Sequence, residues 1–481
     1  MNRRTATILL ISLLAVGGLV FALWDRAKEQ TFIFGNDHQL VLLGSTYGTN
    51  HVWVDGTPLQ RFLARVPEDW LPESLVADKN NEESETPMLL LWFKDQSTNT
   101  GSPNTISVPG NIAVGDPVLS QSLVIVIEDE NGVCSTVDTG WSSSTTTLGL
   151  DPIKFETFPR RGKVLTLRLL KETTSTNGQS SYTELGRMQI KNPVHENFPE
   201  WKPELLPITK TNGDLQITLT RLLTNVDPDS DEVPLRATNR WNPETWICLR
   251  VLENGLPTKD WTTGETFLSD ATGNRTEVNG QRRFDDKGEG KLFADSIPWP
   301  DEPAWKINVE LSRGTNFAAD ELVTFKGVPV TTNSITNGVT PSDTVVGNWS
   351  GNVVTAGVRS GPPSVYPLDM DPVATNTVQG FTIKMLNVNK ILNLSPEFPD
   401  TYAVNFNTEP PLKGFGFTPI KATDQNGNDV LTSGSSASTS TSGNYYGFYA
   451  VSTNELQTVD VTFAIHKKRF VEFIAKPEMM K

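Results

Sequence analysis

An imidazole set among aromatic rings is the strongest candidate for ligand chemistry in this chain: His51 lies in Tyr47-Gly-Thr-Asn-His-Val-Trp53. Aromatic faces stack on sugar rings and other flat groups, while an imidazole donates and accepts hydrogen bonds and titrates near neutral pH. Tyr47, His51 and Trp53 are therefore the expected ligand-binding residues. A second constellation is basic. His466-Lys467-Lys468-Arg469 concentrates positive charge in a chain whose formal net charge is −15, and these four are the expected contact for an acidic partner or a second copy. The plainer reading of the same run is a solvated hairpin tip that blunts an edge strand.

Nucleophilic and metal chemistry finds little to work with. The histidines stand at 38, 51, 195 and 466, with no H-E-x-x-H or close pairing that would hold zinc. Gly44-Ser45-Thr46-Tyr47-Gly48 has the outline of a nucleophile elbow but puts threonine in the attacking place. There is no phosphate-binding loop and no dinucleotide fingerprint. Asp227-Pro-Asp229-Ser-Asp231-Glu232, and Asp424 with Asn426 and Asn428, alternate oxygens as a calcium loop does. Both lack Gly at the sixth place and an acid at the twelfth, so both read as turns, which Asp and Asn suit for backbone reasons. No catalytic residue, metal ligand or cofactor is assigned. Two alternatives follow from composition. The 56 acidic residues allow an anchored hydrolase with a carboxylate pair, and the 12 tryptophans allow a glycan-binding module that uses Trp53, Trp141, Trp261 and Trp349.

Strands must carry these residues. Gly 36 and Pro 32, heavy Ser, Thr and Asn usage, and few long helical stripes point to an all-β body of strands and turns. With 41 basic against 56 acidic residues the chain repels phosphate backbones, so nucleic acid is not an expected partner. Cys134 and Cys248 are too few for a disulfide scaffold and read as small buried hydrophobes.

Thr5 to Trp24 is an uncharged apolar run preceded by Arg3 and Arg4. About 20 such residues cross a hydrocarbon core of roughly 30 Å. The positive flank keeps the N-terminus inside, so the expectation is a single transmembrane signal-anchor over residues 1–30 with the body exported, at a cell surface or in a periplasm. Small residues near Val20-Phe21-Ala22 allow a cleaved signal peptide instead, which makes the body secreted. In an exported chain Asn274-Arg-Thr276, Asn348-Trp-Ser350 and Asn393-Leu-Ser395 are acceptors for glycosylation where the host has that machinery.

The body divides into three units: 31–200, 208–330 and 345–481. Each opens on a strand, sends an apolar strand into an Asn-Gly turn (Asn131-Gly132, Asn254-Gly255, Asn426-Gly427), and closes on a late alternating strand and a final one. Thr46 to Gly56 reads as turn-rich, Asp78 to Glu85 as an acidic loop, and Ser433 to Ser442 as a low-complexity loop that does not pack. The plan resembles the immunoglobulin-like group of extracytoplasmic sandwiches in a broad sense, without the paired Cys and Trp of antibody-type domains. That resemblance implies about three immunoglobulin-like β-sandwich domains and a role in adhesion or binding. The expectation is a membrane-anchored, non-catalytic binding or structural protein of the cell envelope, with a protein or glycan partner.

Overall fold

Alternation makes the strands. In Trp305–Arg313 the residues Trp305, Ile307, Val309 and Leu311 are at most 1 % exposed, while Lys306 and Asn308 between them reach solvent. The computed structural model describes residues 30–34, 38–55, 60, 63–64, 78–95, 123–136, 150–174, 180–194, 196–224, 245–278, 283–294, 297–331, 371–391, 400–440, 443–452 and 455–479. Strands dominate these residues. None of their helices is long and apolar enough to cross a membrane, and Thr5 to Trp24 lies outside them.

The strands build three modules with one strand order: the first two each pack two sheets face to face, and the third is a single continuous eight-stranded sheet. The first module contains β1 (Gln30–Phe34), β2 (His38–Asp55), β3 (Asp78–Asp95), β4 (Leu123–Glu128), β5 (Cys134–Thr136), β6 (Leu150–Phe155), β7 (Val164–Thr174) and β8 (Ser180–Lys191). Lettering these A to H, one sheet runs A-B-C-F and the other E-D-G-H. The second module uses β9 (Ile208–Asn212), β10 (Leu215–Thr224), β11 (Thr245–Glu253), β12 (Leu256–Pro257, a short hairpin arm), β13 (Trp261–Asp270), β14 (Arg275–Val278), β15 (Glu289–Ala294) and β16 (Trp305–Arg313). Its first sheet is β9-β10-β11-β15 and its second starts β14-β13-β16, the same order as before. After β17 (Leu322–Thr331), the third module uses β18 (Ala374–Val378), β19 (Phe381–Ile391), β20 (Asp400–Glu409), β21 (Phe415–Asp424), β22 (Asp429–Ser440), β23 (Gly443–Ser452) and β24 (Thr458–Lys467). Its order β18-β19-β20-β23 and β22-β21-β24 repeats the plan, with β22 bridging to β23. Positions B and C are neighbours in one sheet, whereas immunoglobulin constant domains divide ABED from CFG.

The H position is filled unexpectedly. In the first module β8 follows β7 and pairs with it. In the third, β24 pairs with β17, which precedes the module. In the second, β16 pairs with β25 (Arg469–Ala475), which follows the third module, and β26 (Glu478–Met479) pairs parallel with β10. The cores agree. Val471, Phe473 and Ala475 lie with Trp261, Leu268 and Ile307, while Val323, Phe325 and Val328 lie with Phe406, Phe448 and Phe463.

Several segments differ from their sequence reading. Thr46–Asp55 and Asp78–Glu85 are paired strand rather than turn and loop, because ladder hydrogen bonds come from the backbone and an exposed ribbon tolerates charge; Lys154 meets Glu82 at 2.8 Å. Ser433–Ser440 is likewise strand, paired with β23. The turns equivalent in position D-to-E are Asp129–Val133, Asp270–Asn274 and Asp424–Asn428, so the second module contributes Thr272-Gly273 in place of Asn254-Gly255. In each, the Asp Oδ1 accepts the backbone N–H groups two and four residues on, and the Gly has positive φ.

Candidate functional site

The β2–β3 hairpin carries the aromatic stretch, and a bulge between Gly48 and Asn50 divides it. An extra residue re-aims the side chains beyond it. Tyr47 therefore packs on the first module's core, its ring 5.8 Å from that of Phe158, with the Arg160 guanidinium 5.3 Å from its centroid. Trp53 joins the cluster on the opposite face, its ring 5.9 Å from Trp92 in a stacked pair beside Met88 and Leu90. His51 is 1 % exposed. The expected trio is thus split: His51 and Trp53 lie beyond the bulge and Tyr47 before it.

Thr46 Oγ1 accepts from Trp92 Nε1 at 3.1 Å and lies 2.9 Å from His51 Nδ1. Burial lowers the His51 pKa, with the Gly48 backbone pulling upward and the Lys154 charge downward. His51 Nε2 and Asn80 Nδ2 are buried without a hydrogen-bond partner among the described residues. A hydroxyl against an imidazole is the first half of a nucleophile–base pair, but such a pair needs a group on the other ring nitrogen to orient the base. Among the described residues His51 Nε2 has none there.

The basic tetrapeptide is not a hairpin tip, because a single residue, Lys468, separates β24 from β25 and the chain runs straight on into the second module. A reversal needs at least two loop residues. His466 is 1 % exposed, its ring 5.4 Å from Phe317, and neither ring nitrogen has a partner among the described residues. Burial, with the charges of Lys468 and Arg313, lowers its pKa to about 4. Lys468 pairs with buried Glu310 at 2.8 Å and Arg469 with Asp214 at 3.2 Å, which leaves Lys467 as the exposed member. Three of the four expected partner contacts are spent inside the molecule.

Sequence reasoning missed the seam between the first two modules. Asp270 is its hub: its carboxylate accepts from Thr272 N, Thr272 Oγ1, Asn274 N, Asn274 Nδ2 and Trp299 N at 2.7–3.2 Å. Asn274, 0 % exposed, reaches across to the first module, with Oδ1 accepting from Phe158 N and Nδ2 donating to Phe158 O. An acceptor so enclosed is closed to glycosylation in the folded chain. Arg160 donates to Thr272 O and Pro87 O, Trp299 Nε1 to Asp129 Oδ2, and Asn131 Nδ2 to Asp301 Oδ2. Arg161 grips Glu302 through two bonds of 2.7 and 3.0 Å. Burial raises the Glu302 pKa against the pull of Arg161. The one signal in the sequence was Asp-x-x-Gly, recurring at 129, 270, 285 and 424.

Among the described residues, no three His, Cys, Asp or Glu side chains are grouped as a metal ion requires. Trp261 is 2 % exposed within the second core, while Trp141 and Trp349 lie outside the described residues. Cys134 and Cys248 stand on different modules with no disulfide between them. No protein-family model matches the chain, and neither the curated proteins nor the solved structures include a match to it.

Proposed function

We propose that this chain is a membrane-tethered, non-catalytic structural or binding component of a cell envelope, held by Thr5 to Trp24 with its N-terminus inside and its body exported. One observation carries the reading: the polar groups that chemistry would need are used to join sandwiches. Asn274, Glu302, Arg160, Arg161, Glu310 and Lys468 all bridge modules. In this reading the sandwiches serve as immunoglobulin-like sandwiches do in general, as stiff spacers that hold loops and edges away from the bilayer.

The test is topology with activity as a counter-assay. A C-terminal tag is followed while protease is added to intact cells or organelles, and the membranes are then extracted with alkaline carbonate. The tag is expected to be cut without permeabilisation, and an N-terminal fragment to stay in the membrane pellet. Protection of the tag in intact cells, or cleavage of a glycan or peptide library by the purified body, would reject the proposal.

A further inference from the structure

The H strands of the second and third modules are exchanged, and the two strands carry one pattern. β17 reads Val323-Thr324-Phe325 with Pro329 six residues after the valine; β25 reads Val471-Glu472-Phe473 with Pro477 six residues after. Their registers on the G strands coincide: Val323 faces Phe463 and Phe325 faces Val461, while Val471 faces Val309 and Phe473 faces Ile307. Seven residues after each valine the chain pairs parallel with position B, Val330 with Val388 and Glu478 with Leu223. Each strand thus does in the neighbouring module the whole task that β8 begins in its own.

The exchange divides the chain into two halves that complete each other. Residues 30–331 lack the strand for β16 and supply the one for β24; residues 371–481 do the reverse. The halves touch through both exchanged strands and through the pairs Lys468–Glu310 and Arg469–Asp214. They are connected only by residues 332–370. In the structure that connection has little distance to cover, because Thr331 and Ala374 pair with Asn389 and Met385 along β19. Four strand steps are roughly 13 Å, which a few residues would bridge. The chain instead provides about 40, able to reach about 130 Å when extended, where connections beyond about 12–15 residues are uncommon in a compact fold.

We propose that the two halves dock by reciprocal strand exchange in trans as well as in cis, the partner being a second copy of this chain. One copy's β25 completes the second module of the other, whose β17 completes the third module of the first. Both local crossings, Gly314–Glu321 and Lys468, keep their present form, and only the course of 332–370 differs between the two arrangements. Closing both crossings gives a two-fold dimer; passing them on gives a linear assembly. The linker sets an effective concentration of order millimolar for the cis form, so trans exchange grows with chain concentration during folding.

The test uses the full chain with Cys134→Ser and Cys248→Ser. Thr324 and Thr462 face each other across β17 and β24 with their hydroxyls 2.9 Å apart, so Thr324→Cys and Thr462→Cys placed in one chain should form an intrachain disulfide. The same substitutions divided between two differently tagged copies, mixed unfolded and refolded together, should give an interchain disulfide whose yield rises with total concentration. A divided pair that never crosslinks, while the single-chain pair does, overturns trans exchange. Failure of the single-chain pair to crosslink overturns the strand assignment itself. A protease site introduced within 332–370 supplies a readout without cysteines: after cutting, the halves should co-elute in native buffer and part only in denaturant, and their separation in native buffer would refute the proposal.

Discussion

Phe473 follows the third module in sequence yet is 0 % exposed in the core of the second, opposite Ile307 and in one cluster with Trp261 and Leu268. Phe473→Ala removes a fully enclosed ring from a site walled by strands on both sheets. The loss for such a truncation is about 3–5 kcal/mol, which at 1.4 kcal/mol per decade raises the opening constant roughly 100- to 4,000-fold. Amide hydrogen exchange read by mass spectrometry locates the effect, since protected amides accelerate by the opening constant of the unit they belong to. The acceleration is expected in β10 and β11, more than 200 residues upstream of the substitution. Phe325→Ala is the reciprocal experiment: the residue precedes the third module, is 3 % exposed, and lies in that module's core, so β19 and β20 should lose protection. If Phe473→Ala accelerates β19 and β20 and leaves β10 and β11 unchanged, the exchange of H strands is wrong.

Other perturbations report on the seams and turns. His466 has a folded pKa of about 4 against 6.5 in the unfolded chain, so its contribution to stability is complete above pH 6.5 and is lost as pH falls from 6.5 through 4. The gap corresponds to roughly 3 kcal/mol, and chemical denaturation across that range should show a His466→Leu variant losing less stability on acidification than the parent; parallel profiles would contradict the burial of this ring between Phe317, Gly416, Lys468 and Arg313. Asp270→Ala orphans enclosed N–H groups at Thr272, Asn274 and Trp299, each worth about 1–3 kcal/mol. Denaturation midpoints should fall accordingly, with less loss for Asp270→Asn. A Cβ at Gly288 would lie 2.2 Å from the Val251 carbonyl oxygen at a φ of +71°, whereas one at Gly327 meets nothing within 4 Å at +59°. Gly288→Ala should therefore destabilise by several kcal/mol and Gly327→Ala by about 1 kcal/mol, a contrast that thermal melts resolve.

Much of the strand inventory was legible in the chain, for a local reason. Trp305 to Leu311 and Val459 to Ile465 alternate with the pleat, and Leu123 to Ile127 is apolar throughout; all three are strands. Period and burial are properties of neighbouring residues, so a short window suffices to read them. Where the window misled, the reason was also local. Asp-Lys-Asn-Asn-Glu-Glu-Ser-Glu and Ser-Gly-Ser-Ser-Ala-Ser-Thr-Ser carry no apolar period, yet a partner strand supplies their hydrogen bonds.

The sequence by itself determined the β composition and the turns at Asn131-Gly132 and Asn426-Gly427, because each depends on residues within a few positions of one another, whereas the hairpin tip it suggested at His466-Lys467-Lys468-Arg469 is absent from the structure. Only the tertiary structure decided which sheet each strand joins. β17 and β25 carry nearly the same apolar pattern and would satisfy either G strand, so their own residues leave the choice open. It is made by chain connection: a single residue before β25 forbids folding back, and the strand must complete the neighbouring sandwich. The same holds for His51, Trp53 and Tyr47, close in sequence and parted by one bulge, since facing is set by the partner strand's register and not by spacing along the chain.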